Sequence, residues 1–198
     1  MNEQEVGIGP HPLPWPDGEQ YDHELLANGD RRNVEDRYRY LSVEAIKADL
    51  DMTRHDIHVA IENWQHDMNI GTIVRNANAF NVAAVHIIGK RQWNKRGAMV
   101  TDRYLNVFHH STVAEFVVAI GDRKIIAVDN QEGAVMMPDA ELPAHAVLVF
   151  GGEGPGLSAE LVSVSQVMIA IPQFGSTRSV NVGVASGIIL YEWVRRNT

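Results

Sequence analysis

The stretch Ile171-Pro172-Gln173-Phe174-Gly175-Ser176-Thr177-Arg178-Ser179-Val180-Asn181-Val182 decides the fold. The residues that lead into it, 167–171, are apolar and rich in β-branched side chains, and they read as a buried strand. Pro172 ends that strand, because it has no N–H to give a ladder. A polar loop follows, and then residues 182–196 form a helix that is apolar almost all round. Such a helix is expected to be buried on most sides. A polar loop pinned between a core strand and a core helix has little freedom, which is how a site is preorganised.

The same alternation runs upstream. Residues 57–61 read as a strand, and Ile70, Ile73, Val74, Ala77 and Phe80 give one helical stripe. Strands at 83–88, 124–128 and 146–150 alternate with helices at 113–120 and 159–164. The pattern argues an α/β fold, a parallel sheet flanked by helices. Residues 89–105 read as a loop that carries Lys90, Arg91, Lys95, Arg96 and Arg103 against only Asp102.

The chain has 198 residues, enough for one domain and an extension. The expected division is an N-terminal extension over 1–55, partly irregular with a short helix starting at Ser42, and a domain over 56–198. Pro10, Pro12, Pro14 and Pro16 exclude a regular helix there, so residues 1–35 are expected to be an extended arm. Absence of cysteine excludes disulfides, thiolate metal sites and a cysteine nucleophile, and fits a cytoplasmic protein. The N-terminus has no apolar signal region, and no apolar run approaches a membrane span. The net charge is −8, but residues 1–67 hold 15 Asp/Glu against 6 Lys/Arg, whereas 68–198 hold 10 against 11. The acidity belongs to the N-terminal third, and the remainder can present a local basic face.

Three stretches carry candidate chemistry. Asn69-Ile70-Gly71-Thr72-Ile73-Val74-Arg75 opens a helix after a strand; Asn69 suits an N-cap, and Arg75 reads as a surface arginine or as a fixed cation. Gly151-Gly152-Glu153-Gly154-Pro155-Gly156 follows a buried strand, and its glycines let a ligand approach the backbone. Its spacing is not that of a dinucleotide turn, and it lacks the Gly-Lys-Ser/Thr of a phosphate loop. Glu153 either caps the next helix or faces a ligand. Ser179 and Asn181 stand at the mouth of the last helix, as caps or as pocket residues. Gly183 and Gly187, one helical turn apart, allow close approach in a core or a dimer. The nine histidines show no helical pair with an acidic neighbour, so no metal is expected, and His66 is taken as a surface residue.

In this order and spacing the three stretches resemble the motif set of the SpoU/TrmH family, over roughly residues 57–197. The resemblance implies S-adenosylmethionine-dependent RNA 2′-O-ribose methyltransferases of the SPOUT fold, homodimeric, with a C-terminal trefoil knot. It implies catalytic roles for Asn69, Arg75, Glu153, Ser179 and Asn181, and places Val128, Gly151, Gly152, Ile171 and Val180 beside the cofactor. Val180 departs from the family's usual leucine but preserves an apolar wall. Arg31, Arg32, Arg37 and Arg39 interleave with Tyr38 and Tyr40, a mixture that suits RNA phosphate and base stacking, or a solvated charge run. With Lys90, Arg91, Lys95 and Arg96 they form the expected RNA footprint. The substrate would be tRNA or rRNA, with a tRNA D-loop guanosine the first choice. The rivals are a SPOUT-like module that binds RNA without transfer, and a nucleotide-dependent oxidoreductase.

Overall fold

The computed structural model describes residues 7–64, 68–152 and 156–198. The chain divides into two compact units, Met1–Thr53 and Arg54–Thr198.

In the first unit the segment expected to be an extended arm is folded from residue 7 onward. The prolines do keep helix out until α1 (His23–Asn28), which starts where the Asp22 carboxylate accepts the N–H groups of Glu24 and Leu25. Helix α2 (Val43–Asp51) starts at Ser42, whose hydroxyl accepts the N–H of Ala45. Leu26, Tyr38, Tyr40 and Ile46 are buried around a fully buried carboxylate, Asp30. Asp30 accepts the Arg32 N–H at 2.9 Å, Nε at 2.9 Å and Nη2 at 2.7 Å, and the Tyr40 N–H at 3.0 Å. Burial alone would raise its pKa; the bonds from Arg32 and Tyr40 outweigh burial and hold the carboxyl at about 2. Alternate prolines exclude a helix but not a core, and a buried Asp–Arg pair leaves no mark in composition.

The second unit is a seven-stranded sheet with every pairing parallel: β1 (His55–Asn63), β2 (Val82–Gly89), β3 (Val107–His110), β4 (Lys124–Val128), β5 (Val135–Met136), β6 (Ala146–Phe150) and β7 (Val167–Ala170). The spatial order is β3-β2-β1-β6-β4-β7-β5. From β1 the chain first builds outward through β2 and β3, then returns to the other side of β1. That reversal is where open α/β sheets bind ligands, at the carboxyl ends of the strands. One face packs Ile57, Val59, Ile61, Leu148 and Phe150 with α3 (Asn69–Ala79) and α6 (Val182–Asn197). The other packs Ala60, Val147 and Val149 with α4 (Val113–Ile120) and α5 (Ala159–Val164).

The loop at 89–105 contains two short 3₁₀ turns, Arg96–Ala98 and Thr101–Tyr104. Helix α6 is less buried than its composition suggests. It buries Gly183, Ser186, Ile189, Leu190 and Trp193, but Val184, Ile188 and Tyr191 lie exposed on another face.

Beneath α4 three imidazoles cross the sheet as a ladder. His58 Nδ1 is 2.9 Å from His86 Nε2, and His86 Nδ1 is 2.9 Å from His110 Nε2. Phe116 packs edge-on against His86 and His110. Burial, reinforced by the Arg123 cation, lowers His58 to about 4; burial and the flanking imidazoles lower His86 to about 3, and burial also lowers His110.

Candidate functional site

A cavity of about 370 Å³ opens at the carboxyl ends of β4, β6 and β7. Val128, Gly151, Gly152, Ile171 and Val180 all line it, as do Ser179 and Asn181. The polypeptide turns tightly there. A Cβ on Gly151 would lie 2.2 Å from the carbonyl carbon of Gly156 and 2.4 Å from the Leu157 nitrogen, so only glycine fits. The turn is tied to β4 by Asp129, whose carboxylate accepts the Leu157 N–H at 3.2 Å and the Gln131 side-chain amide at 2.9 Å. On the far wall, the Asn130 side-chain amide donates to the Arg178 carbonyl.

Asn181 is both a cap and a site residue. Its Oδ1 accepts the N–H groups of Gly183 (2.9 Å) and Val184 (3.2 Å), while its Nδ2 donates to Asn69 Oδ1 at 2.8 Å. The cap position of α3 is Met68, and Asn69 is the first helical residue, so its side chain is available for Asn181 rather than for capping. A second tie lies further along: Asn76 Nδ2 donates to the Gly183 carbonyl (2.8 Å) and to Ser186 Oγ (2.9 Å). Between these ties α3 carries Arg75, which is exposed and makes no hydrogen bond or ion pair among the described residues. Arg75 and Asn69 do not line the cavity; Asn181 joins it to α3.

Glu153 and His66 lie outside the described residues. Of the basic loop, Lys90, Arg91 and Arg96 are exposed, whereas Lys95 pairs with Asp102 at 2.6 Å and sits over the Trp93 ring. In the first unit Arg32 is spent on Asp30 and the Leu41 carbonyl, and Arg39 donates to the Arg32 carbonyl at 2.7 Å. Arg37 is exposed, paired with Glu35 and Asp49 and stacked over Tyr38; Arg31 is exposed. Among the described residues no three His, Asp or Glu side chains form a metal-binding group.

Sequence reasoning missed three polar members of the cavity: Asp129, Asn130 and Gln173. Asp129 and Asn130 directly follow the apolar run 124–128, and a polar pair just past a core strand was the available signal. Among the described residues the buried Gln173 side-chain oxygen has no hydrogen-bond partner.

A parallel sheet with a glycine-lined cavity at its strand ends, beside a polar loop that caps a long helix, defines a ligand-binding α/β protein. The chain belongs to the SpoU rRNA Methylase family, whose profile matches residues 56–191. It is 28% identical over 146 residues to the tRNA (guanosine(18)-2′-O)-methyltransferase of Escherichia coli K12, covering 71% of this chain and 64% of that enzyme's length. The crystal structure of the TrmH/SpoU tRNA modifying enzyme of A. aeolicus superposes with a TM-score of 0.68 at 26% identity, covering 78% of this chain and 81% of the other. An AdoMet-bound rRNA methyltransferase from Sinorhizobium meliloti shares the fold, with a TM-score of 0.65 at 23% identity, over 75% of this chain and 60% of that one.

Proposed function

We propose that the protein is an S-adenosylmethionine-dependent RNA methyltransferase that modifies a ribose 2′-hydroxyl, with a tRNA D-loop guanosine the first substrate to test. The observation that carries this is the cavity bounded by Val128, Gly151, Gly152, Ile171 and Val180 and coupled through Asn181 to α3. Its volume suits a nucleoside-sized ligand. Asp129, Asn130 and Gln173 among its lining give a nucleoside polar side chains to bind. The cofactor supplies a methyl group already activated on a sulfonium.

The chain's own residues must then hold the ribose oxygen in line and support the charge that develops on it. Arg75 is the group for that charge: it makes no hydrogen bond or ion pair among the described residues, and a guanidinium aimed at an oxyanion is worth most where its other bonds do not compete. A guanidinium keeps its protons, so it is a poor base. Asn69 and Asn181 hold each other, and thereby fix the first turn of α3 against the mouth of the cavity. Ser179 lines the same mouth, and Glu153 is assigned a catalytic role on the family resemblance alone.

The reading includes a trefoil knot, a homodimer and a cytoplasmic setting. Insertion of β7 between β4 and β5, after β6 has been laid beyond them, supports the knot. The exposed stripe Val184, Ile188 and Tyr191 supports a dimer through α6, since apolar patches at helical spacing want covering. The test is transfer of labelled methyl from S-adenosylmethionine to total RNA, with the sites mapped. Labelled 2′-O-methyl nucleosides are expected. RNA binding without transfer would leave the non-catalytic module; binding of NAD in preference to S-adenosylmethionine would favour the oxidoreductase.

A further inference from the structure

We propose that Trp64 is a fixed stacking platform for an unpaired RNA base, set at the same strand edge as the cavity; the proposal rests on the RNA reading above. Trp64 follows β1 directly and is 42% exposed. Its indole N–H donates to Glu62 Oε1 at 3.0 Å. Glu62 is itself buried, and its second oxygen accepts the Ser158 N–H at 2.7 Å, just past the turn that closes the cavity. The back of the ring lies on Gly89, a residue with φ of +102°. A Cβ there would come within 2.7 Å of Trp64 Cε3 and 2.8 Å of Cζ3. The ring is therefore anchored at its nitrogen and seated on bare backbone. An aromatic surface held in one orientation loses little entropy when a ligand stacks on it.

The neighbouring charge indicates the ligand. Asn63, the residue before Trp64, accepts the Lys90 N–H through its carbonyl at 2.9 Å. Its side-chain amide donates to the carbonyls of Lys90 (2.6 Å) and Gln92 (2.8 Å). The Lys90-Arg91 segment is thus pinned beside the platform, and both side chains reach solvent. An anchored aromatic face with adjacent unburied cations is the arrangement that takes one base and its phosphates from a single strand.

The test uses the full chain with Trp64→Leu and Trp64→Phe, measuring RNA dissociation constants at several salt concentrations, methyl transfer and cofactor affinity. Trp64→Leu should weaken RNA binding roughly 5- to 150-fold, the usual worth of one stacked base. Trp64→Phe, which keeps a ring but loses the N–H, should restore most of it. Neither should change cofactor affinity or the dependence of binding on salt, because no cation is removed, whereas Lys90→Ala should lower the salt slope by about 0.7. A Trp64→Leu protein that binds RNA like the parent overturns the platform. So does a phenylalanine variant as weak as the leucine one, since the loss is then one of packing. A parent protein that transfers no methyl to any RNA refutes the methyltransferase reading, and one that also binds no RNA takes the platform with it.

Discussion

Arg32 and Arg75 carry the same guanidinium and are used in opposite ways. Arg32 gives its N–H groups to Asp30 and to the Leu41 carbonyl, and so turns a fully buried carboxylate into the centre of a small folded unit. Arg75 sits on a helix that two sets of asparagine bonds fasten to α6, yet its own side chain is left without a partner among the described residues. A scaffold that fixes a helix while leaving its cation unspent is a scaffold for a ligand. A cation whose bonds are all internal holds the fold instead, whatever aromatic residues stand beside it.

That contrast can be broken in three places. The largest effect is expected at Asp30. Asp30→Ala strands a half-buried guanidinium and the Tyr40 N–H, which should cost about 3–5 kcal/mol in denaturant unfolding. A loss under about 1 kcal/mol would mean that Arg32 is not structural, and would return it to the RNA footprint. The histidine ladder gives the next effect. His58 and His86 have lowered folded pKa values, so their stabilising neutral form is fully present above the unfolded value near 6.5. As pH falls below that, the unfolded chain takes up protons that the fold refuses until about 4 and 3. Stability should drop by about 1.4 kcal/mol per pH unit for each such proton. Exposed His145, raised by the hydrogen bonds it donates to Asp56 and Asp122, acts outside that window: its contribution is complete below about 6.5 and is lost as pH rises above it. His86→Leu should flatten the acid limb, and an unchanged limb would show that the ladder does not control it. The smallest effect is at Arg37, the arginine of the first unit whose pairs are exposed. Arg37→Ala should leave the unfolding midpoint alone and lower the salt slope of RNA binding by about 0.7. An unchanged slope removes Arg37 from the RNA footprint.

The strand and helix pattern from Ile57 onward was legible because apolar side chains alternate with helical and extended periods, and β1, β2, β4, β6 and β7 fall where those periods lie. The four-residue β3 (Val-Phe-His-His) was not, because its two apolar residues are exposed and its buried residue is His110, which stacks on His86 of the neighbouring strand. Nor was β5, two residues long and paired with β7 at the edge of the sheet. At the site, glycine and serine spacing identified the loops that meet at the cavity. It could not identify Gln173, because an orphaned oxygen is a property of the finished packing. The exposed face of α6 was hidden for a related reason: composition reports that the helix is apolar, and only the fold reports which side nothing in the chain covers.

The most direct measurement pairs methyl transfer with calorimetric binding of S-adenosylmethionine for Arg75→Ala. Loss of the cation proposed to support the developing oxyanion should lower transfer by about 10²–10³-fold, while the cofactor dissociation constant stays within about twofold of the parent. Arg75→Lys should fail nearly as badly, since a point charge does not reproduce a planar fork. An Arg75→Ala protein that loses cofactor affinity in proportion to its activity, or that methylates RNA at the parent rate, would contradict the account.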